Sequence, residues 1–246
     1  MHIHPLNLVC ISLNVGFGRS FKISQFFKQA TDVAGEVIKV GPRVTNYKTG
    51  DKVVAMLNHP TGGGLAEYAV AKDNLIVLRP PEVSAAEGES LPVAGLAALQ
   101  AVTESAGVKL DGTGRHVNLL ITAASGGVGQ YAVQQAKLGN THVTATCGAH
   151  NLDLVKSLGA DEVLDYKTPD GVALNCPSGS KSDVVIHCAM DIPWSTFEPN
   201  LSTNGKVIDM TPGPRAFLVY ALEKLTFSKK QLVPMLMIPK KENLSG

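Results

Sequence analysis

Seven consecutive residues, Ala123-Ala124-Ser125-Gly126-Gly127-Val128-Gly129, carry the densest chemical signal in the 246-residue chain. They follow an apolar run over 117–123 that reads as a buried strand. They open a segment, 127–138, whose apolar residues Val128, Tyr131, Ala132 and Ala136 recur at helical spacing. A glycine cluster alone reads as a flexible loop. Placed between a strand and a helix, it reads as a phosphate cradle. Gly126 and Gly127, lacking Cβ atoms, let the main chain approach a pyrophosphate, and Gly129 lets the helix pack closely on the strand. The helix start then offers unpaired N–H groups and a positive dipole end to the anion. The stretch from Ala123 through Ser125, Gly126, Gly127 and Val128 to Gly129 is therefore expected to bind a dinucleotide.

The next strand, 142–146, runs into Cys147-Gly148-Ala149-His150-Asn151. A site for NAD places Asp or Glu here to accept from the ribose hydroxyls. No acid occurs before Asp153, already in the following helix. A carboxylate would repel a 2′-phosphate, so its absence favours NADPH over NADH. His150, Asn151 and Tyr166 are the candidates for that phosphate, with Lys167 beside them, although a histidine here also reads as an ordinary loop residue. Cys147 and Gly148 face the expected adenosine site, and Cys147 reads equally as a small buried filler. Ala189 and Thr211, at the ends of two later strands, stand where ligands of open α/β sheets bind, and are the candidates for the nicotinamide side.

Other chemistries find no support. The four cysteines, Cys10, Cys147, Cys176 and Cys188, are scattered without a CxxC pair or a Cys/His cluster, so neither a metal site nor a disulfide framework is expected. His187 and Cys188 are adjacent in a strand, point to opposite faces and cannot share one ion. Ser195 has no base partner, which argues against a hydrolase. His59 is a weak loop candidate. A net charge of +1 gives no reason to expect nucleic acid. No uncharged run approaches the ~20 apolar residues of a spanning helix.

These residues need elements to position them. Short strands over Asp32–Val40, 52–57, 65–71 and 75–78, punctuated by Gly, Pro and Asp, predict a β-rich first part. Residues 84–105 read as helical, interrupted at Pro92 and Gly95. Strands at 117–123, 142–146, 162–164, 183–189 and 206–210, the last entered through an Asn204-Gly205 turn, alternate with helices at 127–138 and 151–158, with Asn151 as cap and Gly159 as terminator. A sixth strand is expected within 225–238. This alternation predicts a doubly wound parallel α/β sheet. Residues 1–31 contain no acid, and Arg19, Lys22 and Lys28 alternate there with serines. That resembles a transit segment in composition, but without a clear amphipathic helix or cleavage signal it reads as an atypical terminus.

The motifs in this order resemble the medium-chain dehydrogenase/reductase superfamily, and within it the zinc-free quinone oxidoreductase group of the plant chloroplast envelope. The residues that carry the resemblance are Thr31-Asp32-Val33-Ala34-Gly35-Glu36-Val37, Gly50-Asp51-Lys52-Val53, Gly63-Gly64-Leu65-Ala66-Glu67-Tyr68, Leu91-Pro92-Val93-Ala94-Gly95, the glycine turn, Ser157-Leu158-Gly159-Ala160-Asp161 and Asp165-Tyr166-Lys167. The resemblance implies an atypical segment at 1–29, a partial GroES-like β-barrel domain over 30–98 and a Rossmann domain over 99–246. It implies hydride transfer from NADPH to a quinone or an α,β-unsaturated carbonyl. Zinc-dependent relatives carry a ligand His at the position of Thr31, so no zinc is expected. Asp32 stands where the family places a pocket-facing acid and is the catalytic-side candidate. The resemblance also implies a chloroplast location, peripheral to the envelope (cytoplasmic otherwise), and a homodimer formed near Leu232. Three departures from the family pattern, unlike opening strands, an early end at Gly246 and Ala97 in place of a Thr, predict a truncated chain. Its alternative reading is a non-catalytic NADP(H)-binding protein or inactive fragment.

Overall fold

The structure is a computed structural model that describes residues 8–13, 30–57, 63–226 and 228–238. His59 lies outside the described residues. The chain divides into two compact units between Leu96 and Ala97.

The first unit holds five strands, β1 (Leu8–Leu13), β2 (Asp32–Val40), β3 (Lys52–Met56), β4 (Tyr68–Lys72) and β5 (Ile76–Leu78). They form an antiparallel sheet in the order β4-β1-β2-β3-β5. Alternate residues turn inward, so Val9, Ile11, Val33, Val37, Val53, Ala55, Ala69, Ala71 and Ile76 make one apolar cluster. β1 is a strand that the sequence pattern does not predict, in the segment whose residues are unlike the family's opening strands. Val9 and Ile11 are fully buried, and β1 pairs with β2 on one side and β4 on the other. The scarcity of acids there is a matter of composition and does not oppose the period-2 pattern that makes a strand. Gly35 is required where β2 pairs with β1, because a Cβ there would stand 2.2 Å from the Ser12 carbonyl oxygen. β4 begins at Tyr68 rather than at residue 65.

Helix α1 (Ala85–Glu89) is started by a capping box, in which the Ser84 hydroxyl accepts from Glu87 N–H and the Glu87 carboxylate from Ser84 N–H. Helix α2 (Pro92–Leu99) has Pro at its first position, where the missing N–H costs nothing. It runs straight through Gly95, which therefore does not interrupt it as expected. A π-helical turn, Gln100–Ser105, follows.

The second unit holds β6 (Val117–Thr122), β7 (Thr141–Cys147), β8 (Glu162–Asp165), β9 (Ser182–His187), β10 (Leu201–Asp209) and β11 (Gln231–Pro234). All are parallel, in the order β11-β10-β9-β6-β7-β8. This is the doubly wound order, with the reversal between β6 and β9. Both faces are apolar. Leu119, Ile121, Val143, Ala145, Val184 and Ile186 pack under α3 (Gly127–Ala136), while Leu120, Val185 and Val207 meet Leu174 and Phe197 on the other side. The Asn204-Gly205 turn expected before the fifth strand lies inside β10. Gly205 serves close approach there, since a Cβ would meet Leu201 Cβ and Ser182 O at 2.9 Å. Helices α4 (Leu152–Ser157), α5 (Pro169–Ala173), α6 (Trp194–Phe197) and α7 (Pro214–Leu225) complete the unit, the last three unpredicted. Among the described residues no helix is long and apolar enough to cross a membrane.

Candidate cofactor site

A parallel sheet delivers every strand's carboxyl end to one edge, and nearly all of the expected cofactor residues fall on it. At the end of β6, Ala123 adopts φ 50°, left-handed for a non-glycine, and turns the chain sharply into α3. Gly126 N–H donates to Ala123 O at 2.9 Å and closes the turn. Gly129 permits the helix to sit against it, because a Cβ would stand 2.4 Å from Ala123 O and 2.7 Å from Ala124 Cα. Gly126 caps α3 without any side-chain hydrogen bond. The amides of Gly127, Val128 and Gly129, in the first turn, therefore have no intrahelical acceptor and are left as donors. Gly126 and Gly127 are exposed, Ser125 and Val128 half-buried. This cradle fits the pyrophosphate of a dinucleotide.

Beside it, the ends of β7 and β8 meet. The Asn151 amide donates to Ser125 Oγ at 3.3 Å, so the residue expected to cap α4 with its side chain instead ties its loop to the glycine turn. Gly148 faces Tyr166, whose ring would be 3.4 Å from a Cβ there, and Tyr166 N–H donates to Cys147 O at 3.0 Å. Tyr166 and His150 are exposed. Cys147 is 1% exposed; burial raises its thiol pKa, with Asp165 adding to the rise, so it is an inert filler. Asp165, which the sequence offers only as part of the Asp165-Tyr166-Lys167 motif, also lies at this edge. It is the register partner of Cys147 from β8, and its Oδ1 accepts from Lys167 N–H at 3.0 Å.

On the other side of the reversal lie Ala189, half-buried, and Thr211, exposed, whose N–H donates to Asp209 Oδ1 at 3.0 Å. Two further residues at this edge, Thr122 and His187, carry no distinctive signal in the sequence, each lying at the end of an apolar strand. They bond across the reversal at 2.9 Å, Thr122 Oγ1 to His187 Nδ1. Cys188 packs toward the opposite face, among the α3-side cluster, and burial lifts its thiol to about 12.

In the first unit, Asp32 opens β2 and its Oδ2 accepts from Val93 N–H at 3.1 Å, at the start of α2. Its Oδ1 is buried without a hydrogen-bond partner. Burial pushes the carboxyl up to about 6, only partly offset by hydrogen bonding to Val93 and Thr31.

Known proteins give this arrangement a lineage. Residues 16–81 match the alcohol dehydrogenase GroES-like domain, and residues 127–208 the zinc-binding dehydrogenase family. The chain is 64% identical over 241 residues to the quinone-oxidoreductase QR1, chloroplastic, of Triphysaria versicolor, covering 98% of this chain and 73% of that protein. This chain belongs to the quinone oxidoreductase group of the medium-chain dehydrogenases/reductases. The quinone-oxidoreductase homolog, chloroplastic, of Spinacia oleracea is 71% identical over 213 residues, which cover 87% of this chain and 65% of that relative's length. Among solved structures, the quinone oxidoreductase from Coxiella burnetii superposes with a TM-score of 0.77 at 26% identity, over 97% of this chain and 76% of that one. The Escherichia coli quinone oxidoreductase complexed with NADPH superposes at 0.74 and 20% identity, over 100% and 79%, and supports the fold.

One of the two matched families carries zinc in its description. Thr31, beside Asp32, supplies no imidazole. Among the described residues no group of three or more His, Cys, Asp or Glu could hold an ion.

Proposed function

We propose that this chain is an NADPH-dependent, zinc-independent reductase of quinones or α,β-unsaturated carbonyls. The observation that carries the reading is the row of unclaimed amides at residues 127–129, set at the strand-order reversal of a parallel sheet. The reduced nicotinamide supplies the hydride when bound. Residues of the chain do the holding. Ser125 through Gly129 take the pyrophosphate. His150, Asn151 and Tyr166 take the adenosine-ribose phosphate beside Gly148, with no acid at the end of β7 to repel it, while Asp165 is occupied by the Lys167 amide. Ala189 and Thr211 flank the nicotinamide. The assignment gives residues 30–98 to the substrate and 99–246 to the cofactor. Asp32 is the pocket acid; burial raises its carboxyl to about 6 and so brings it nearer than an ordinary carboxylate to the protonated form that can donate a hydrogen bond to a substrate oxygen. A chloroplast location is supported by the names of the relatives, and a position peripheral to the envelope and a homodimer follow from the family resemblance.

The test is NADPH oxidation by the purified chain with a quinone and with a short conjugated ketone, each with and without a chelator. Turnover indifferent to chelator is expected. Chelator-sensitive turnover would contradict zinc independence. NADPH binding without turnover would favour the second reading, a cofactor-binding protein without catalysis.

A further inference from the structure

Thr122 and His187 are the last residues of β6 and β9 and face each other in register across the reversal. Thr122 is fully buried and His187 is 5% exposed. Besides its bond to His187 Nδ1, Thr122 Oγ1 accepts from Cys188 N–H at 3.0 Å and from Ala189 N–H at 3.3 Å. A hydroxyl has two lone pairs and one proton. Both lone pairs are spent on the two amides, so the proton goes to Nδ1. His187 therefore accepts at Nδ1 and carries its ring hydrogen on Nε2. Burial keeps the imidazole neutral, lowering its pKa against the opposing effect of Asp209 at the end of β10. An edge contact with Phe197, centroids 4.9 Å apart, holds the ring, and Met210 N–H on the His187 main-chain carbonyl at 3.1 Å holds its backbone.

We propose that Thr122 and His187 form a latch that positions the main chain at Cys188–Ala189 for the nicotinamide half of the cofactor. The inference rests on the dinucleotide reading above and goes beyond it by making two buried side chains positioning residues. The adenosine half is held independently. Thr146 Oγ1 accepts from Ala123 N–H at 3.3 Å, Thr146 O from Ala124 N–H at 2.8 Å, and Asn151 holds Ser125. Two hydroxyls thus clamp the end of β6, Thr146 toward β7 and Thr122 toward β9. Loosening one leaves the other in place. Thr122→Val keeps the shape, removes the acceptor of two amides and strips His187 of its donor. Thr122→Ser keeps the hydroxyl.

The experiment compares affinities for NADPH and for adenosine 2′,5′-bisphosphate, which carries only the adenosine half, in the wild type, Thr122→Val, Thr122→Ser and His187→Phe. Thr122→Val and His187→Phe are expected to weaken NADPH about tenfold, the scale of one lost buried hydrogen bond, and to leave the bisphosphate within about twofold. Thr122→Ser is expected to behave as wild type. Equal loss for both ligands in the two disruptive variants, or Thr122→Ser matching Thr122→Val, would overturn the latch. Should Thr122→Val fail to fold, His187→Phe, which keeps an aromatic ring against Phe197, decides by the same comparison. A folded wild type that binds neither ligand would instead overturn the dinucleotide reading.

Discussion

At Gly129 and Asp32 single atoms decide the outcome. A methyl group at Gly129 would lie on the Ala123 carbonyl, a backbone atom that cannot swing aside. Gly129→Ala should cost roughly 1–3 kcal/mol, the usual scale of overpacking, and displace the amides that await the pyrophosphate. Chemical denaturation and NADPH titration check both effects; an unchanged midpoint with unchanged affinity would contradict them. Asp32 works through protonation. Its carboxyl titrates at 3.8 unperturbed and about 6 when folded, so the folded state binds the proton more tightly. That contribution to stability is fully present below the lower value and is lost as pH rises through the upper one. Asp32→Asn keeps an oxygen for Val93 N–H and has no charge to bury. The thermal midpoint of the variant should exceed that of wild type near neutral pH and converge with it toward acid. Parallel pH profiles would contradict the assignment. His187 runs the other way: its folded pKa lies below 6.5, so its contribution is present above that value and fades as pH falls.

Helix ends show how far local rules reach. Thr168 caps α5, its hydroxyl accepting from Gly171 N–H at 3.1 Å, and Thr168→Ala should cost about 1 kcal/mol in a denaturation midpoint, a neutral result contradicting the cap. Gly159 ends α4 at φ 107°, as its position after the last helical residue foretold. Asn151 was legible as the residue before α4, yet its side chain serves the glycine turn, a partnership between loops that no local pattern encodes. Gly205 misled for a related reason: glycine signals a turn or a close approach equally, and only the neighbouring strand distinguishes them. The short helices α5 and α6 hold too few residues to show a period.

For the whole molecule, the parallel sheet was legible because strands buried on both faces read as apolar runs and alternate with helices. The edge that gathers the site was legible with it, since strand ends in such a sheet share one side. The connection across the reversal was not, because Thr122 and His187 are 65 residues apart and each has an ordinary core reading alone. If the edge binds NADPH, the ligand should stabilise the fold by mass action, by about 2.7 kcal/mol at a hundredfold excess over Kd. A thermal midpoint unmoved by saturating NADPH would contradict this.

The most direct test of the account is a fluorescence titration of the purified chain with NADPH and, in parallel, with NADH. The amide cradle at 126–129 and the acid-free end of β7 predict that both bind and that NADPH binds more tightly. Equal affinities would contradict the assignment of the 2′-phosphate to His150, Asn151 and Tyr166, and binding of neither by the folded protein would contradict the cofactor site itself.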